Sequence, residues 1–152
     1  MFKLAIILTF VLLSPFNVYA SPESDAVKFI EAIGAGKNLK ILSSRVARNT
    51  TTYRVMIAKA GAKKVNRLLK KELKESIKNH PSQWNKNLAK AYLEHFTVKE
   101  LNSLTNEKQK SPYRKKLVKN QRKVGISMQR ISKKLLNTVV TKALTSTYKS
   151  VL

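Results

Sequence analysis

The chain of 152 residues contains no cysteine, one aspartate, and only four glycines and four prolines. Without cysteine there is no disulfide framework, no thiolate metal site, no iron–sulfur cluster and no thiol nucleophile. Scarce glycine and proline, with aromatics at 7%, suit long helices better than turn-rich sheets. Acids are the other shortage, eight Asp and Glu against 31 Lys and Arg, for a formal charge of +23. None follows Glu107, whereas thirteen bases lie from Lys108 to Lys149. The apolar share of 43% is nevertheless that of a chain able to bury a core.

The only long apolar run is Leu4–Leu13, preceded by Lys3 and followed by Val18-Tyr19-Ala20 before Ser21. It is shorter than the roughly 20 residues a membrane span requires. A basic start, a short apolar run and small residues at the cleavage point together read as a secretory signal peptide, residues 1–20. The expected mature chain, 21–152, forms one helical basic domain. Export without cysteine fits the periplasm of a Gram-negative envelope better than a eukaryotic secretory route; release to the extracellular medium is the other destination.

Helical periodicity fills the remainder. Ser21-Pro22-Glu23 is a start signal, and Val27, Ile30 and Ile33 recur until Gly34. A second helix is expected over 38–60, with Ile41, Leu42, Val46, Tyr53, Met56 and Ile57 inward and a weak centre at Thr50-Thr51-Thr52. Gly61 breaks or bends it. Val65, Leu68, Leu69, Leu73 and Ile77 form a stripe over 62–79, opposite Glu72 and Glu75, which are expected on a salt-bridged, solvated face. His80-Pro81 ends that helix. Residues 82–95 follow, with Trp84, Leu88, Ala91, Tyr92 and His95 inward. Thr97-Val98-Lys99-Glu100 has the pattern of a capping box, and Phe96 and Leu101 that of a hydrophobic staple.

After Ser111-Pro112, residues Tyr113, Leu117, Val124, Met128, Ile131, Leu135 and Val139 fall within about 80° of one another on a helical wheel. Lys115, Lys116, Lys119, Arg122, Lys123, Arg130, Lys133 and Lys134 lie opposite. Lys142 falls back in the apolar stripe, so the helix is expected to bend or end near Val139, with Ala143, Leu144, Tyr148 and Val151 in a terminal piece. The fold expected is all-α, a compact bundle of five or six helices.

The stretch from Tyr92 through Phe96-Thr97 and Glu100-Leu101 to Ser111-Pro112 and Lys115-Lys116-Leu117 resembles an exported bacterial family, domain of unknown function 2059. It departs at Glu107-Lys108, where the family has aromatics, and at Arg114, where it has glycine. The resemblance implies an exported helical domain and brings no catalytic residues.

The chain offers little to an enzyme. Its two imidazoles, His80 and His95, sit at expected helix ends, and no His-x-x-x-His or Glu-x-x-His spacing occurs. Glu72 and Glu75 lack an apolar surround that would raise a general acid's proton affinity. Neither a phosphate loop nor a nucleophile elbow is present. No cofactor is expected. The eight opposed bases are the expected binding residues for an anionic partner: an acidic protein, or lipopolysaccharide, anionic lipid headgroups or wall polymer. Peripheral contact with a membrane fits the segregated faces. Nucleic acid does not fit export, and no nucleic-acid motif occurs. Two rival roles share these features, an immunity protein neutralising an acidic secreted toxin and a cationic membrane-active protein.

Overall fold

A computed structural model describes residues 21–151, so the expected signal peptide lies outside the described residues. Seven α-helices occur there and no strand: α1 Pro22–Ala32, α2 Asn38–Arg48, α3 Thr51–Ala60, α4 Ala62–Ile77, α5 Pro81–Leu93, α6 Val98–Asn106 and α7 Arg114–Val151. The all-α class is as expected; the number of helices exceeds five or six, because the expected helix over 38–60 is two.

Thr50 divides it. Its hydroxyl donates to the Ala47 carbonyl at 2.7 Å, closing α2, and accepts from the Tyr53 N–H at 3.2 Å, opening α3. A threonine hydroxyl that serves both neighbours offers the backbone a better arrangement than a continuous ladder. Gly61 then separates α3 from α4 at φ 79° and ψ 149°, a conformation essentially restricted to glycine.

Two cores result. Phe29, Ile30, Leu39, Trp84, Leu88, Phe96, Leu101, Leu104, Val124 and Met128 build the first, from α1, α2, α5, α6 and the front of α7. Ala47, Met56, Val65, Leu69, Leu73, Val139, Val140, Ala143 and Leu144 build the second, from α2, α3, α4 and the rear of α7. Ile77 and Leu136 pack against both.

Helix α7 accordingly runs unbroken past Val139 to Val151, in place of the expected bend or stop. The apolar phase fails because the partner changes. At 100° per residue, the inward set Leu117–Val124–Met128 and the buried set Val139–Ala143–Thr147 are centred about 80° apart. By Lys142 the core has passed to another side, and this lysine is exposed.

Two inward assignments are also corrected. Ile41 is 58% exposed and Ile33 45% exposed. The buried line of α2 is instead Leu39, Ser43 and Ala47, four residues apart. Ser43 enters it by donating its hydroxyl to the Leu39 carbonyl at 2.7 Å, so no polar atom is left bare.

Candidate anion-binding face

The eight bases expected to meet an anion all lie on α7, and its outer side positions them because Val124, Met128 and Ser132 are drawn into the core. Lys115, Lys119, Arg122, Lys123, Lys133 and Lys134 are exposed. Among the described residues they form no ion pair. From Lys115 to Lys134 they extend about 28 Å along the axis at 1.5 Å per residue. The side also carries Val118 and Ile126, 63% and 59% exposed. Both fall outside the apolar stripe on the wheel, and that misplacement was the signal that two apolar side chains stand among the bases. Shallow depressions flank them. One is lined by Arg114, Lys115, Val118 and Lys119, the other by Arg130, Lys133, Lys134 and Lys142.

Lys116 and Arg130 are already engaged. Lys116 reaches both Glu100 oxygens at 2.7 Å and lies 5.0 Å over the Phe96 ring. The same carboxylate closes the capping box: the Thr97 N–H donates to Oε2 at 2.9 Å, and the Glu100 N–H donates to Thr97 Oγ1 at 3.3 Å. Partial burial works to raise the Glu100 carboxyl, but Lys116 and Thr97 outweigh it and hold it below the ordinary range. One side chain thus starts α6 and fastens α7 to it.

Arg130 pairs with Glu94, the residue at the end of α5. The Ser127 hydroxyl donates to the other Glu94 oxygen at 2.5 Å, and His95 Nε2 stands 3.0 Å from that hydroxyl. Since Ser127 gives its proton to Glu94, the consistent tautomer has His95 donating to Ser127. Ser127 and then Arg130 hold the Glu94 carboxyl below the ordinary range. The arrangement docks the end of α5 on α7. Sequence reasoning missed the cluster because Glu94 and Ser127 lie 33 residues apart, the sole signal being a serine on the flank of the apolar stripe.

Of the remaining candidates, His80 precedes α5 and receives the N–H of Trp84 on its carbonyl at 2.9 Å. Trp84 is 1% exposed. Tyr92 packs edge-on to Phe29 with ring centroids 5.0 Å apart, and burial pushes its hydroxyl up. Glu72 and Glu75 form no ion pair among the described residues, so the salt bridges expected there are absent. No group of three or more His, Asp or Glu side chains able to hold a metal occurs among the described residues. Nor is any helix there long and apolar enough to cross a membrane.

Comparison with protein-family models, with curated proteins and with solved structures found no match.

Proposed function

We propose that the protein is an exported, non-catalytic binding protein of the bacterial cell envelope that holds an anionic partner on the outer face of α7. One observation carries the reading: six exposed bases, free of ion pairs among the described residues, follow one another along a single rigid helix in a region without acids. A surface shaped only for solubility would intersperse both signs and so lower its self-repulsion. Val118 and Ile126 add apolar contact between the bases, which suits lipopolysaccharide, a lipid headgroup layer or another extended anion with apolar parts. The signal-peptide pattern and the likeness to the exported family over Tyr92–Leu117 support the envelope location.

The test is charge reversal of Lys115, Lys119, Arg122, Lys123 and Lys133 together, followed by capture from envelope extracts. Capture of the partner should be lost while helicity stays, because exposed surface substitutions cost little stability. Capture by the unaltered protein should weaken with salt, which screens exposed charges beyond about 8 Å at physiological ionic strength. Equal recovery by both proteins refutes the reading. A secreted acidic toxin as the captured partner would assign the immunity role, and leakage from anionic vesicles the membrane-active one.

A further inference from the structure

A second cationic feature lies between α2 and α4, with no residue of α7 in it. It is a groove of about 920 Å³, within the usual range of small-ligand sites. Lys40, Arg45, Arg48, Arg67 and Lys70 line it, and no acid does. Between them runs an apolar strip of Ile41, Leu69 and Leu73. Leu69 and Leu73 belong to the second core, whereas Ile41 stands 58% exposed over the groove. Asn66 lines it as well. The Tyr53 hydroxyl donates to its Oδ1 at 2.8 Å, which fixes the amide and leaves the Nδ2–H donors for another acceptor.

We infer that this groove binds the phosphate-bearing end of an anionic lipid, with the phosphate among the arginines and the start of an apolar chain on Ile41. Three guanidinium groups around one opening supply paired N–H donors whose fork matches a phosphate monoester, itself about −1.5 to −2 in charge at pH 7. Ile41 is the part of the site that a bare anion does not use. It is exposed in a place where α2 had another residue, Ser43, to turn inward.

The occupant comes from outside the chain. Residues 1–20 contain no acid. In a second copy Glu23, Asp25, Glu94 and Glu100 are already paired, and Glu31 and Glu107 stand singly. Glu72 and Glu75 stand among Lys70, Lys71, Lys74 and Lys78, which the groove's bases repel. A peptide helix of more than about two turns would overfill the groove, since with side chains such a helix is about 10–12 Å across.

The probes are dihexanoyl phosphatidic acid, which is soluble as a monomer, dihexanoyl phosphatidylcholine and inorganic phosphate, each titrated calorimetrically into the protein. Phosphatidic acid should bind one to one, at least about tenfold tighter than either of the others, as losing a charge-assisted contact or the apolar one implies. Arg45→Glu with Arg67→Glu should weaken it by more than about tenfold. Ile41→Asp should weaken phosphatidic acid while leaving phosphate unchanged. The α7 charge-reversal variant should bind as the unaltered protein does, which separates this site from the α7 face. Circular dichroism checks that each variant keeps its helicity; all three substituted side chains are exposed, so folding should survive. Equal affinity for phosphatidic acid and phosphatidylcholine, equal affinity for phosphatidic acid and phosphate, or binding undiminished by the arginine substitutions would each overturn the inference.

Discussion

Thr97 and Glu100 carry more of the fold than a helix start requires. Losing the Thr97 cap should cost about 0.5–2 kcal/mol. Glu100→Ala should cost more than Thr97→Ala, because it also frees Lys116 from α6. The double variant should lose less than the sum, since both substitutions break one turn. Urea midpoints check all three, and equal losses for the two single variants would deny Glu100 its second role. The same carboxylate sets a pH dependence. Glu94 and Glu100 are both held below the ordinary range, so the folded chain binds fewer protons than the unfolded chain there. Their contribution is complete above the unfolded glutamate value of about 4.3 and is lost as pH falls through the lowered folded values. Stability followed from pH 6 downward should therefore drop on acidification, and Glu100→Gln with Glu94→Gln should flatten that drop.

Among the helices, two glycines make opposite predictions. Gly61 holds a positive φ between α3 and α4, and an alanine there is strained although no atom lies within 4 Å of the added Cβ. Gly61→Ala should lose about 1–3 kcal/mol. Gly125 lies inside α7 with the space around it open. Gly125→Ala should gain about 0.5–1 kcal/mol, the difference in helix propensity. Thermal melts distinguish them. A loss at Gly125 would mean that α7 is not continuous between Val124 and Met128, where it borders the first core.

Across the full chain the balance of charge dominates. Four ion pairs join described residues, against 31 bases in the sequence. Attraction is therefore local and repulsion general. The Debye length shortens from about 30 Å at 0.01 M salt to about 10 Å at 0.1 M, which screens the general term first. Stability should accordingly rise with sodium chloride over that range. A melting temperature that falls instead would show that the pairs at Glu94 and Glu100 outweigh the repulsion.

Local signals were legible wherever a few neighbouring residues complete the interaction. The Ser21 cap, the Thr97–Glu100 box, the stripe of α4 and the inward Trp84 are of this kind, because their hydrogen bonds or periodicity lie within a turn or two. From sequence Thr50 marks a weak point rather than a double cap, since propensity states that a helix is poor there without saying which carbonyl the hydroxyl reaches. The basic face of α7 was visible on the wheel, but which bases remain free was not. Lys116 and Arg130 look like their neighbours until α6 and the end of α5 bring Glu100 and Glu94 against them. Continuity of α7 was hidden for a related reason. A wheel assumes one buried side, and packing gave this helix two in succession. Composition and periodicity thus determined that the chain is helical, basic and built around amphipathic faces, through interactions within single helices. Which face meets which core, which charges are neutralised and where Ile41 stands were decided by the tertiary structure, because each depends on a partner distant in sequence.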